Sequence, residues 1–445
     1  MKKLIALLLA VLMVVGLFAG CAEQPANTDP VNTDPVNTDP ATEEKGSVYY
    51  LNFKPEADKA WQELAAKYTE LTGVEVKVVT AASGTYSETL NAQMGKDGQP
   101  TLFQCGNAQG LIDWGDYCLD FTGTDVLAEM TTGEFNLKNA NGEVKAIGYC
   151  YEAFGIIVNT KLLKDAGYEL SDITDFASLK AAAEDIHARA AELGFDAFAS
   201  AGLDSSSSWR FSGHLANMPL FYEFRDDKVT EQPASVTGAY LDAYKNIWDL
   251  YISTSAVDPT TLSTATGDMS QAEFGTGKAV FWQQGTWEYA NLVGEAYGMD
   301  ASKLAMIPIY CGVEGEENSG LCCGTENCWA VNAKASQADI DATLAFMKWV
   351  VTSDAGTKMM AEQFGPIPFK AAKTPENVFF ADANEYIANG KYTVTWAFNH
   401  TPNVDEWRAG IVSALTDYSA GNGEWAAVET AFVDGWAAQY AKQHG

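Results

Sequence analysis

Val48-Tyr49-Tyr50-Leu51 opens the folded part of the chain, and Val74-Glu75-Val76-Lys77-Val78-Val79 follows one segment later. Both runs are rich in the β-branched and aromatic residues that strands favour. Between them Pro55 suits the first turn of a helix. Ala57, Ala60, Trp61, Leu64, Tyr68 and Leu71 then recur at helical spacing as far as Gly73. Strand, helix and strand in that order predict a βαβ unit and hence a parallel α/β sheet. A helix containing Ser87 to Met94 and a strand at Thr101 to Gln104 continue the alternation. Gly106 and Asn107 come just after that strand. Ligands of open α/β sheets sit off the carboxyl ends of strands, which makes Asn107 a candidate contact.

The chain has 445 residues, enough for two ordinary cores and too many for one comfortable domain. Lys and Arg number 28 against 59 Asp and Glu, a net charge of −31. Such a surface repels phosphate backbones, so nucleic acid is excluded as an expected partner. A hydrophobic content of 47% rules out a disordered protein.

Residues 1–20 read as a secretory signal. Lys2 and Lys3 precede an unbroken apolar run from Leu4 to Val15. From Ala22 to Gly46, Asn-Thr-Asp-Pro occurs three times, at 27–30, 32–35 and 37–40. Regular proline among small and acidic residues cannot build a core and predicts an extended tether. Seven further cysteines are irregularly spaced: Cys105, Cys118, Cys150, Cys311, Cys322, Cys323 and Cys328. An odd number cannot all pair within one molecule, which leaves small buried residues or one optional disulfide. Cys322, Cys323 and Cys328 lack the paired spacing and nearby His of a structural zinc site, so no metal and no cofactor are expected.

A second decisive stretch runs Gln271-Ala272-Glu273-Phe274-Gly275-Thr276-Gly277-Lys278-Ala279-Val280-Phe281-Trp282-Gln283-Gln284-Gly285-Thr286-Trp287. A short helix ends at Gly275 or Gly277, a buried strand covers Lys278 to Gln283, and Gly285 turns the chain towards Trp287. This pattern resembles the carbohydrate-binding solute-binding proteins of bacterial ABC importers, the family that includes maltose-binding protein. Ala146 to Leu163 is similar to the segment by which that family's chain crosses between lobes, although Val158 replaces the usual tyrosine and Gly148 the usual proline. Gly324 to Asn332 resembles the returning segment, with Trp329 and Val331 in place. Leu17-Phe18-Ala19-Gly20-Cys21 resembles a lipobox, which implies cleavage before Cys21 and a diacylglycerol on its sulfur.

The resemblance implies an α/β, two-lobed periplasmic-binding-protein-like fold (type II-like) with discontinuous lobes, a hinge and a cleft between them. Lobe 1 is expected at 47–150 plus 325–370 and lobe 2 at 151–324 plus 371–445, after the signal at 1–20 and the linker at 21–46. By the same resemblance Trp287 stacks on sugar and Glu152 is an acidic contact at the crossover. Trp407, in the first turn of its helix, stands where family members place a cleft aromatic. The loop Asp204-Ser205-Ser206-Ser207-Ser208-Trp209-Arg210 can line a polyol site or serve as a capped loop. Asn52 completes the candidate list, since sugar hydroxyls want paired donors and acceptors and pyranose C–H faces suit indole rings.

The function so implied is a lipid-anchored monomer on the outer face of the membrane. It captures a sugar, an oligosaccharide, by lobe closure and hands it to an ABC permease. No enzyme signature survives inspection: among His187, His214, His400 and His444 there is no helical zinc pair, and Gly275-Thr276-Gly277-Lys278 lacks the rest of a phosphate loop. A surface glycoside hydrolase is the alternative, because two carboxylates suffice for that chemistry.

Overall fold

A computed structural model describes residues 45–445; the signal, Cys21 and the Asn-Thr-Asp-Pro repeats lie outside the described residues. Among the described residues twelve strands are distributed over two sheets. The first contains β1 (Val48–Asn52), β2 (Val76–Thr80), β3 (Leu102–Gln104), β4 (Leu137–Lys138) and β5 (Val144–Gly148). The second contains β6 (Glu152–Asn159), β7 (Asp196–Phe198), β8 (Ala279–Gly285), β9 (Leu304–Ile307) and β10 (Ser319–Gly324). β11 (Cys328–Val331) returns to the first sheet and β12 (Tyr392–Thr395) to the second.

In the first sheet, ordered β2-β1-β3-β11-β5-β4, β1 runs parallel to both β2 and β3. The βαβ reading of this segment therefore holds. The intervening helix, Asp58–Thr72, buries Trp61, Leu64, Ala65 and Tyr68 and ends at Gly73, whose φ of 70° suits a residue without Cβ. Leu71 lies outside the buried stripe, 64% exposed. β11 enters antiparallel between β3 and β5. It carries Trp329 into an aromatic core, stacked on Tyr149 at 4.2 Å and edge-on to Trp61 at 6.0 Å.

The second sheet is built on β6, all eight residues of which are buried. β8 lies antiparallel on one side of it, with β9 and β10 on the other. Its core is separate, centred on residues such as Phe154, Phe211, Trp248, Phe281, Trp407 and Trp436. The seven cysteines of the described residues are all free and buried, so the optional disulfide is not formed. Among the described residues no helix is long and apolar enough to cross a membrane. No group of three or more His, Cys, Asp or Glu there is placed to hold a metal ion.

At the start of the helix Gln337–Thr352 half of a capping box is formed. Ser336 Oγ accepts from Asp339 N, but Asp339 Oδ1 accepts instead from Ser47 N at 2.7 Å. The acidic side chain that would close the box locally ties the start of β1 to the helix Gln337–Thr352.

Candidate functional site

A cleft of about 1010 Å³ lies between the two sheet systems, lined from one side by segments following β1, β2 and β3 and from the other by segments around Trp209, β8 and Trp396. Its floor is a buried ion pair. The turn after β1 carries Lys54, whose Nζ lies 2.8 Å from Glu152 Oε1 at the start of β6 and 3.7 Å from Glu56 Oε1. Asn327 Nδ2 donates to the other Glu152 oxygen at 2.7 Å, and Tyr149 OH donates to Asn327 Oδ1 at 3.2 Å. Burial by itself pulls the Lys54 ammonium down, but the carboxylates of Glu152 and Glu56 outweigh it and the ammonium is held above its ordinary value.

One wall is aromatic. Trp287, half-buried, faces Trp209 at 6.0 Å and His214 at 5.5 Å, and the Lys54 ammonium sits 4.9 Å from the Trp287 ring centre. His214 belongs to a π-helical turn, Arg210–Leu215, and stacks on Phe154 at 3.8 Å with the rings 9° apart. Burial, with Arg408 nearby, holds its imidazole well below the ordinary 6.5, so it is neutral at neutral pH. Trp396 continues the aromatic surface, 5.4 Å from Phe154.

The polar lining is acidic. Glu56, Glu88, Asp113, Glu152, Asp268, Glu288, Glu326, Asp405 and Glu406 share the lining with Lys54 and Arg408. Burial raises the carboxyls of Glu56 and Glu326, and pushes that of Glu288 up to about 7. Two buried cleft residues keep an unpartnered polar atom among the described residues, the acceptor Gln104 Oε1 and the donor Trp396 Nε1. A donor and an acceptor left open beside indole faces suit a ligand that is both hydroxylated and apolar on its faces.

The family model described as bacterial extracellular solute-binding protein matches residues 63–389. The chain belongs to that family. Among solved structures, a chitin oligosaccharide binding protein is similar to this solute-binding protein with a TM-score of 0.69 at 17% identity, over 90% of this chain and 98% of that one. RafE in complex with raffinose is similar with a TM-score of 0.68 at 16% identity, over 90% and 100%. A Bacillus licheniformis sugar transporter in complex with stachyose gives 0.67 at 16% identity, over 88% and 100%. The two-lobed periplasmic-binding-protein-like fold is common to them. Comparison with curated protein sequences finds no match.

Of the residues singled out in the sequence of this solute-binding protein, Trp287, Glu152, Trp209 and Asn107 line the cleft. Asn107 caps the helix Ala108–Trp114 through Gly110 N, and its Nδ2 donates to Glu326 Oε1 at 3.3 Å. The other four stand apart from it. Asn52 is fully buried, its Nδ2 donating to Lys54 O and Thr80 Oγ1 and its Oδ1 accepting from Lys54 N. It shapes the turn that presents Lys54. Asp204 turns inward on its own loop, accepting from Ser206 N and Oγ. Arg210 is fully buried and donates to Gln283 O, Ser207 Oγ and Ser270 Oγ. Trp407 is 1% exposed, packs on Phe432 and Trp436, and donates to Phe432 O at 2.9 Å.

Sequence reasoning missed Lys54, His214, Glu288, Glu326, Trp396 and Arg408. Two of these had a local signal: Lys54 follows the end of β1, and Glu288 adjoins Trp287. The others reach the cleft through packing alone.

Proposed function

We propose that this protein captures an uncharged sugar, an oligosaccharide, in the cleft and delivers it to an ABC importer without breaking a bond. The observation that carries the reading is the Trp287–Trp209–His214 wall standing beside the Lys54–Glu152 pair in one cleft. Indole faces match pyranose C–H faces, and the fixed carboxylates and amides match hydroxyls. The solved structures similar to it include complexes with raffinose and stachyose, which supports a sugar of several units. Nine carboxylates against two cations in the lining disfavour an anionic glycan by like-charge repulsion.

Lobe 1 is taken as 47–150 plus 325–370 and lobe 2 as 151–324 plus 371–445. Two sheets with separate cores support that division. Capture then proceeds by hinge closure, driven to the extent that the ligand prefers the closed form. Cys21 carries the lipid anchor, the repeats at 27–40 form the tether, and the protein works as a monomer at the outer face of the membrane.

The test is a thermal-shift screen of the protein against raffinose, stachyose, chitin oligosaccharides and xylo-oligosaccharides. A ligand bound only by the native state raises the melting temperature. Recovery of the bound glycan intact separates capture from the hydrolase alternative; shortened product would overturn it.

A further inference from the structure

A chain of hydrogen bonds runs away from the cleft wall behind Trp287. Trp287 Nε1 donates to Gln284 Oε1 at 3.0 Å, and Gln284 Nε2 donates to Glu288 Oε1 at 2.9 Å. Gln271 Nε2 donates to Glu288 Oε2 at 2.7 Å, and Asn291 Nδ2 donates to the same oxygen at 3.4 Å. Gln284 is 4% exposed and Glu288 8%. The other edge of the indole lies over Gly285, where a Cβ would stand 2.2 Å from the ring.

The polarity of this chain is set at its first link. An indole N–H can only donate, so the Gln284 oxygen must face it and the Gln284 amide N–H must face Glu288. Three amide donors therefore converge on Glu288, and a carboxylate accommodates all three with no proton of its own to place. Three of its roughly four acceptor positions are taken by protein groups, leaving it poorly suited to contact a ligand directly. We propose that Glu288 is a positioning residue for ligand capture: its carboxylate locks Gln284, and Gln284 fixes the plane of the Trp287 indole. This rests on the reading of Trp287 as a ligand-stacking surface.

Tyr297 OH already donates to Gln271 Oε1 at 3.3 Å, so in the proposed acid form the Glu288 hydroxyl turns to Gln284. Turning the Gln284 amide to accept that proton sets its N–H against the indole N–H, so the indole must move. Burial pushes the Glu288 carboxyl up to about 7; Glu56 across the cleft adds to this, while Gln271, Asn291 and Arg210 oppose it. The further titratable groups on adjoining segments are Asp268 and Tyr297, and Lys54 lies 3.7 Å from Glu56. The lock is thus closed above about pH 7 and released below it.

The experiment labels the full chain with 5-fluorotryptophan and assigns the Trp287 fluorine signal by its loss in Trp287→Phe. Without ligand, the wild-type signal is expected to move with a midpoint near pH 7, and in Glu288→Gln to stay at its acid position throughout. Gln284→Leu cuts the middle link and is expected to free the indole at every pH, which keeps the test decisive should Glu288→Gln not fold. Calorimetry with raffinose, stachyose and chitotriose is expected to show affinity falling roughly two- to tenfold from pH 8 to pH 6, the scale of one hydrogen bond. The same loss should be pH-independent in Glu288→Gln. A Trp287 signal that does not titrate, or titrates equally in Glu288→Gln, overturns the proposal, as does unchanged affinity in that variant. A titrating signal with no sugar bound would instead support the lock and sink sugar capture.

Discussion

Lys54 Nζ and Glu152 Oε1 lie 2.8 Å apart across 98 residues of chain, both almost wholly buried. Lys54 follows a strand of the first sheet and Glu152 begins the central strand of the second, so this one contact ties the two sheet systems at the cleft floor. Lys54→Met leaves a buried carboxylate with only Asn327 for company. Removing one partner of a buried pair costs about 3–5 kcal/mol, much of it the uncompensated charge. Urea unfolding of Lys54→Met, Glu152→Gln and the double variant is expected to show the double less destabilised than the sum of the singles. Simple additivity would mean that the two charges do not act as a unit.

Trp287→Ala should weaken sugar binding by about 1–3 kcal/mol, as truncation of an aromatic hot spot does, with little loss of stability because the indole is only half-buried. Gly285→Ala reaches the same end by another route. Its φ of −127° suits any residue, but the added Cβ would stand 2.2 Å from the Trp287 ring. Titration calorimetry on both variants checks this, and wild-type affinity in Gly285→Ala would place the ligand away from Trp287.

Trp407→Ala should act on the fold. The side chain is buried between Phe432 and Trp436 with its N–H bonded, and such truncations cost about 3–5 kcal/mol. The folded fraction should bind sugar as the wild type does, measured below the lowered melting temperature. A selective loss of affinity would return Trp407 to the cleft.

Stability should also carry the signature of Glu288. Its carboxyl is pushed from 4.5 up to about 7 in the folded chain, chiefly by burial. Between those values the native state keeps a proton that the unfolded chain releases. The resulting stabilisation is complete below about 4.5 and is lost as pH rises through about 7. Melting temperatures of wild type and Glu288→Gln from pH 4 to pH 8 should therefore diverge against the wild type as pH rises. A constant gap would mean that Glu288 titrates normally. The ionised form that holds Trp287 is, on this account, the less stable one.

The fold was legible where local period decides it. The β1–helix–β2 unit could be read from alternating and helical spacing, and Gly73 closes its helix as such a glycine should. Gly285 was read as a turn residue, yet its backbone is extended. What it supplies is space for an indole two positions on, and nothing in its neighbours' identity signals that close approach.

The site was legible in place more than in direction. Asn107 was read from its place after a strand end and Trp209 from its polar loop, while Trp287 and Glu152 were named by the family resemblance; all four line the cleft. Asn52 was named at the end of β1, but its side chain folds back to hold the turn while Lys54 points across. Arg210 and Trp407 sit in the cleft's neighbourhood by sequence, yet Arg210 turns into the core to bond Gln283 O, and Arg408, one residue on from Trp407, takes the lining position.

Taken alone, the sequence determined the kinds of element and their order, because helical and strand periods depend on residues a few positions apart. It also determined the excess of acid and the wealth of indole from which the cleft is made. The tertiary structure decided which distant side chains meet: Lys54 with Glu152, His214 with Phe154, Trp209 with Trp287. Those pairings depend on strand register, on the rotation of each helix about its axis and on the closure of loops tens to hundreds of residues long. None of these is encoded within a local window, so they are settled only when both cores pack.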